Sequence, residues 1–197
     1  MNIRLLVAAA FAGLLAAAPA AAQVDVPVGP FRTVELNGNG RVLVRYAPAQ
    51  QVRIVQGNAR ISRVHLADQP AGRKDKGGRL IVDTCPNRCP IGYRLVVEID
   101  TPDIEGVAVG GDGQIEIGAG FRRGDGFAAA VKGNGRIDAR AIAAVHASAA
   151  VSGNGDISLG RVDSLAAAVK GKGRIAYHGH PRLMSAVQGG GRIESAD

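Results

Sequence analysis

From Phe31 onward, short runs of alternating apolar and polar residues are parted by glycine- and proline-bearing turns. Thr33–Leu36, Arg41–Tyr46, Gln51–Val55, Ile61–Leu66, Arg79–Asp83 and Tyr93–Ile99 alternate or are rich in β-branched residues, and each reads as a strand. Asn37-Gly38, Asn39-Gly40, Ala47-Pro48, Gln56-Gly57-Asn58 and Asp68-Gln69-Pro70 supply the turns, and the charged stretch Gly72–Arg79 reads as a solvated hairpin tip. These strands predict a first half of longer N-terminal hairpins; beyond Ile104 the strands shorten and a single motif takes over, the two halves reading as one continuous body. It is a β-favouring residue, then Gly-x-Gly, then a polar residue and Val or Ile. Six copies begin at Leu36, Val109, Val131, Val151, Val169 and Val187. The first glycine of the last five falls at Gly111, Gly133, Gly153, Gly171 and Gly189, at spacings of 22, 20, 18 and 18 residues. A period near twenty, with no helix-forming stretch between copies, predicts an all-β solenoid that turns once per repeat.

Stacking the repeats position by position predicts what each column does. Val109, Val131, Val151, Val169 and Val187 stand before the turn, and Ile115, Ile137, Ile157, Ile175 and Ile193 stand after it. Strands of neighbouring repeats lie about 4.8 Å apart, so these positions form two continuous apolar columns inside the coil. Ala129, Ala149 and Ala167 precede the valines by two residues and share their facing, which predicts a thin coil. The glycine pairs (Gly111 and Gly113, Gly133 and Gly135, Gly153 and Gly155, Gly171 and Gly173, Gly189 and Gly191) are structural turn positions, and their recurrence requires no ligand.

Function is therefore sought on the outward columns. Gln114, Arg136, Asp156, Arg174 and Arg192 follow the second glycine of each turn, with Arg41 in the first copy, and Lys132, Ser152, Lys170 and Gln188 precede the first glycine. Together they predict a basic rail along one edge, interrupted by Asp156 between Arg136 and Arg174. Exposed ion pairs contribute only about 0–1 kcal/mol each, so stability does not explain such a rail. It serves either as a solvated edge that resists sheet aggregation or as a binding site for an extended anion. Lys132, Arg136, Lys170, Arg174 and Arg192 are the candidate binding residues, and an acidic polysaccharide or an anionic envelope surface is the candidate partner.

Charge and leader narrow the setting. The formal net charge is +7, and one positive charge, Arg4, lies in the first 22 residues. There a positive start, an apolar run from Leu5 to Ala18 and the small residues Ala20–Ala22 read as a secretory signal peptide cleaved near Ala22. The apolar run is too short for a membrane span. Residues 23–197 then form one domain, periplasmic or secreted. Cys85 and Cys89, with three residues between them in Thr84-CPNRCP-Ile91, fit a disulfide made in an oxidising compartment, stiffening a protruding hairpin between strands ending near Val82 and beginning near Tyr93. The competing readings are a redox pair, which usually spaces its cysteines by two residues, and a metal pair, which would need two further ligands.

These residues carry a family resemblance. The opening Phe31-RTVELNGNGRVLV, the middle Arg79-LIVD and Tyr93-RLVVEIDTPDIEGVAVGGDGQIEI, and Val151-SGNGDI resemble the head GIN domain of putative auto-transporter adhesins, over Phe31 to Ile193. The resemblance implies a right-handed parallel β-helix-like fold, export, and a binding role at the cell envelope. It brings no catalytic residue and no cofactor.

Other chemistry fares less well. A carbohydrate-active β-helix enzyme, a polysaccharide lyase or hydrolase, would need paired carboxylates roughly 5–10 Å apart. Asp112, Glu116, Asp138 and Asp156 are the candidates. Asp112, however, stacks on Asn134, Asn154, Lys172 and Gly190, a turn position that accepts many residues. The chain has no Trp, three Tyr and four Phe, a poor supply of sugar-stacking rings. Gly110-GDGQIEIG resembles a calcium-binding β-roll, but Ile115 stands where an Asp is needed. No helix follows any Gly-x-Gly to make a phosphate loop. His178-Gly179-His180 reads as a turn between coils, and His65 and His146 as ordinary strand or turn residues; no metal is expected. Export and the lack of a recognition motif argue against nucleic acid despite the charge. Ile193–Asp197 offers no obvious cap, so self-association through the coil end is a further expectation.

Overall fold

The computed structural model describes residues 23–67, 77–86 and 88–197. The predicted signal peptide and most of the charged hairpin tip lie outside them. The described residues are all-β, with sixteen strands. The first four are β1 (Val24–Asp25), β2 (Phe31–Asn37), β3 (Arg41–Tyr46) and β4 (Gln51–Gln56). Next come β5 (Arg63–Leu66), β6 (Gly78–Asp83), β7 (Val96–Thr101), β8 (Gly106–Gly111) and β9 (Gln114–Ile117). They are followed by β10 (Gly124–Gly133), β11 (Arg136–Ala139), β12 (Ala144–Gly153) and β13 (Asp156–Gly171). The last three are β14 (Arg174–His178), β15 (Arg182–Gln188) and β16 (Arg192–Ser195).

The glycine turns sort these strands into two mostly parallel sheets. Strands that precede a turn form an upstream sheet in the order β5-β6-β2-β8-β10-β12-β13-β15. Strands that follow a turn form a downstream sheet in the order β1-β4-β7-β3-β9-β11-β13-β14-β16. β13 belongs to both, its first residues pairing downstream and its later ones upstream. Neither sheet closes on itself.

Register follows the repeat. Val109, Val131, Val151, Val169 and Val187 lie side by side on successive strands, as do Ile115, Ile137, Ile157, Ile175 and Ile193. The inner members are buried: Ile137, Ile157 and Ile175 are 0% exposed and Val131, Val151 and Val169 are 2% exposed. Ala129, Ala149 and Ala167 are buried beside them, and side chains of both sheets join one apolar cluster. Full burial of a residue such as Ile157 stabilises by roughly 1.5–3 kcal/mol. The backbone ladder runs through the turns as well: the Asn154 N–H donates to the Gly133 carbonyl at 2.9 Å, and the Lys172 N–H to that of Gly153 at 2.9 Å. Such close approach explains the first glycine of each pair. At Gly153, φ is +127°, and a Cβ would stand 2.4 Å from the Gly133 oxygen.

Three features depart from the sequence reading. The first half is only in part a run of hairpins: β5 and β6 pair antiparallel, but β2 pairs with β8 and β3 with β9 in parallel, setting Leu36 beside Val109 and Val42 beside Ile115. The intervening chain folds to the far end, where β6 pairs with β2 and β7 with β3. That end is covered by antiparallel strands, β5 on β6, β4 on β7 and β1 on β4. Finally, Cys85 and Cys89 are disulfide-bonded with Cα atoms 5.4 Å apart, but they do not staple a hairpin. β6 and β7 lie in different sheets, so the bridged loop joins the sheets where other repeats have a glycine turn. Its start is pinned by Thr84, which is 1% exposed and whose Oγ1 accepts the Gly40 N–H at 3.1 Å.

Candidate functional site

The five basic candidates flank the same turns but do not share a face. Along β10 and β12 every second residue points inward, so Phe127, Ala129 and Val131 are buried whereas Ala128, Ala130 and Lys132 point outward. Lys132, Ser152 and Lys170 are neighbours on the outer face of the upstream sheet, one strand apart in turn. Two strand spacings put the lysine backbones about 10 Å apart. Arg136, Asp156, Arg174 and Arg192 line up on the downstream sheet, across the glycine turns from the lysines. The single predicted rail is thus two rails, because each turn carries the chain from one sheet to the other.

The two rails differ in charge balance. As expected from the stacking, Asp156 sits between Arg136 and Arg174 in register, and it pairs with Arg136 at 3.1 Å. Arg174 turns the other way, to Glu194 at 2.8 Å, and Arg192 approaches the same carboxylate at 3.8 Å. Arg41 of the first copy pairs with Glu116 at 2.6 Å. Among the described residues, neither Lys132 nor Lys170 has a carboxylate within ion-pairing distance. The arginine rail is largely neutralised by its own acids, and the lysine rail retains its charge.

Beside the lysines lies a face that sequence reasoning missed. Ala108, Ala130, Ala150, Ala168 and Ala186 are adjacent in register on the outer surface of the upstream sheet. They floor two shallow troughs of about 640 Å³ and 710 Å³; Lys132 and Lys170 line the second. The signal was present: once Ala129 and Val131 are read as inward, strict alternation places Ala128, Ala130 and Lys132 on the opposite face.

The acidic candidates are dispersed into pairings unsuited to acid–base chemistry. Asp112 accepts a hydrogen bond from the Asn134 side-chain amide at 2.7 Å, and the Asn154 amide donates to the Asn134 carbonyl at 3.0 Å. This is a ladder of turn tips. Glu116 and Asp138 are register neighbours, but Glu116 is held by Arg41 and Asp138 by Arg140, whose Nε donates to it at 2.9 Å. The hydrogen bond from Arg140 holds the Asp138 carboxyl below the usual carboxylate range. A glycosidase general acid needs the opposite shift.

The histidines make local contacts. His146 Nδ1 lies 2.7 Å from Ser164 Oγ on the neighbouring strand. His178 Nδ1 lies 3.2 Å from Asp197, whose carboxylate also accepts the Gly179 N–H at 2.6 Å. These contacts, led by the Gly179 N–H, lower the Asp197 pKa. Among the described residues no three side chains of metal-binding type converge, and no helix is long and apolar enough to cross a membrane.

Comparison with known proteins agrees with this architecture. Residues 123–181 match the family described as putative auto-transporter adhesin, head GIN domain. The match runs from the start of β10 past the end of β14 and includes Lys132, Arg136, Lys170 and Arg174, but neither the first motif copy nor Arg192. The crystal structure of a putative adhesin from Bacteroides fragilis is similar in fold, with a TM-score of 0.51 at 17% identity, covering 88% of this chain and 96% of that one. A second putative adhesin, from Parabacteroides merdae, aligns with a TM-score of 0.41 at 13% identity over 89% and 96% of the two chains. A putative lipid binding protein from Parabacteroides distasonis aligns with a TM-score of 0.34 at 14% identity over 89% and 96%. No curated protein matches.

Proposed function

We propose that this chain is an exported, non-catalytic binding protein of the cell envelope, and that its ligand is an extended anion, an acidic polysaccharide or the anionic envelope surface. The successive strands of each sheet are taken as successive turns of a right-handed β-helix-like coil, which presents the same outward residue once per turn. Lys132 and Lys170 are the principal charges, and Arg136, Arg174 and Arg192 reinforce the field from across the turns. The observation that carries the reading is the contrast between the rails: the arginines face acidic partners within the protein, while both lysines stand unpaired among the described residues beside an open, small-residue face. The family match over residues 123–181 supports an adhesin-like, surface-directed role.

The reading is tested by retention of the processed chain, residues 23–197, on immobilised polygalacturonate at low and high salt. A basic residue near an anionic surface contributes about 1 kcal/mol, so the double change Lys132→Gln and Lys170→Gln weakens binding roughly thirtyfold. Binding fades at high salt because exposed charges are screened beyond about 10 Å at 0.1 M. Arg174→Gln, which removes an already paired charge, has a smaller effect. No retention at either salt, or retention indifferent to the lysines, refutes the proposal.

A further inference from the structure

The two ends of the sheet stack are finished differently. At one end the last parallel strands are covered by the antiparallel β4, β1 and β5. At the other, among the described residues, β15 pairs only with β13, and β16 only with β14. The apolar columns therefore surface there. Leu183 is 40% exposed and Val187 45%, whereas Leu165 and Val169, their register neighbours one strand inward, are 1% and 2% exposed. Met184, on the outer face, is 74% exposed. Natural sheets guard such edges with lysine, proline or inward-pointing charge. β15 reads Arg-Leu-Met-Ser-Ala-Val-Gln, with no proline, no lysine and its single charge at the first position.

The same seven residues are self-complementary when reversed. About Ser185, Leu183 falls opposite Val187, Met184 opposite Ala186, and Arg182 opposite Gln188. No charge meets its like. A two-fold axis normal to the sheet keeps inward faces inward, so Leu183, Ser185 and Val187 of both copies would share one continuous core. Among the described residues, a head-to-tail arrangement has no comparable partner strand. The outermost strands at the covered end are β5, with four residues, and β1, with two, both too short to pair the seven of β15.

We propose that β15 is an interface: it pairs antiparallel with β15 of a second copy about Ser185, closing the exposed end in an isologous dimer. This site is separate from the lysine rail, so it stands or falls independently of the ligand.

Sedimentation equilibrium of the processed chain over a wide concentration range is expected to give twice the monomer mass, reverting to the monomer with Val187→Lys. In the Ser185→Cys variant the new thiols face each other across the axis. Directly opposed antiparallel residues have Cα atoms about 4.5–5.5 Å apart, within disulfide reach. Mild oxidation is expected to give a covalent dimer, while Gln188→Cys, displaced far from its symmetry mate, stays unlinked. A monomer at every concentration overturns the proposal. So does a dimer in which position 185 stays unlinked, or in which position 188 links instead. Because the wild-type mass is read without substitution, failure of a variant to fold still leaves the proposal open to refutation.

Discussion

Replacing Gly153 by alanine tests the close stacking of the turns. The positive φ of +127° costs a side-chain-bearing residue about 1–2 kcal/mol. The added Cβ would also stand 2.4 Å from the Gly133 carbonyl oxygen. That atom is backbone held in a ladder, so it cannot swing aside as a side chain could. Relieving the overlap means displacing a whole strand–turn–strand repeat, comparable to overpacking a core at about 1–3 kcal/mol. The expected loss is therefore about 3 kcal/mol. Gly92→Ala is the control, because Gly92 has φ +75° but, among the described residues, nothing within 4 Å of an added Cβ. It bears the conformational cost alone. The two variants should differ by about 2 kcal/mol, or about 1 M in urea midpoint for an m-value near 2 kcal/mol/M. Equal midpoints with unchanged slopes would refute the close approach of successive turns.

Other perturbations probe separate parts of the account. Ile157→Ala, at a fully buried column position, should cost about 2–5 kcal/mol by urea unfolding, and Val187→Ala, on the exposed end strand, well under 1 kcal/mol in the monomer. Replacing Cys85 and Cys89 with serine removes a loop of so few residues that the chain-entropy account predicts a loss of only about 2 kcal/mol, measured as a midpoint shift against the oxidised protein. Because Arg140 holds the Asp138 pKa below its ordinary value, that contact contributes fully above the usual carboxylate range near pH 4 and is lost as pH falls below it. Asp138→Asn should therefore lower stability at neutral pH and flatten the acid limb of a stability–pH profile; an unaltered limb contradicts the assignment.

Much of the fold was legible because the repeat encodes its own register. Once valine and isoleucine recur at fixed offsets from a glycine turn, the inward columns follow, and Arg136, Asp156 and Arg174 fall into line as the stacking requires. The placement of the first copy was not legible. Nothing local to Leu36-NGNGRV tells it to pair with Val109 rather than with its sequence neighbours, since that choice is settled by where the intervening strands find cover. The cysteines misled for a similar reason. A short bridged loop looks like a hairpin tip, yet here it does the work of a glycine turn between sheets. The candidate site was legible in residue type but not in facing. Lys132 and Arg136 are four residues apart on either side of a turn that passes from one sheet to the other, and that passage separates a charged lysine face from an arginine rail that carries its own counter-ions.

Lysine acetylation footprinting of residues 23–197, with and without isolated envelope fractions or polygalacturonate, reads the proposed lysine surface itself. Lys132 and Lys170 report the outer face of the upstream sheet, and Lys172, at a turn tip, serves as an internal reference. The account predicts that ligand shields Lys132 and Lys170 together, more strongly than Lys172, and that added salt restores their reactivity. Bound ligand that leaves both lysines as reactive as in the free protein would contradict it and place recognition elsewhere.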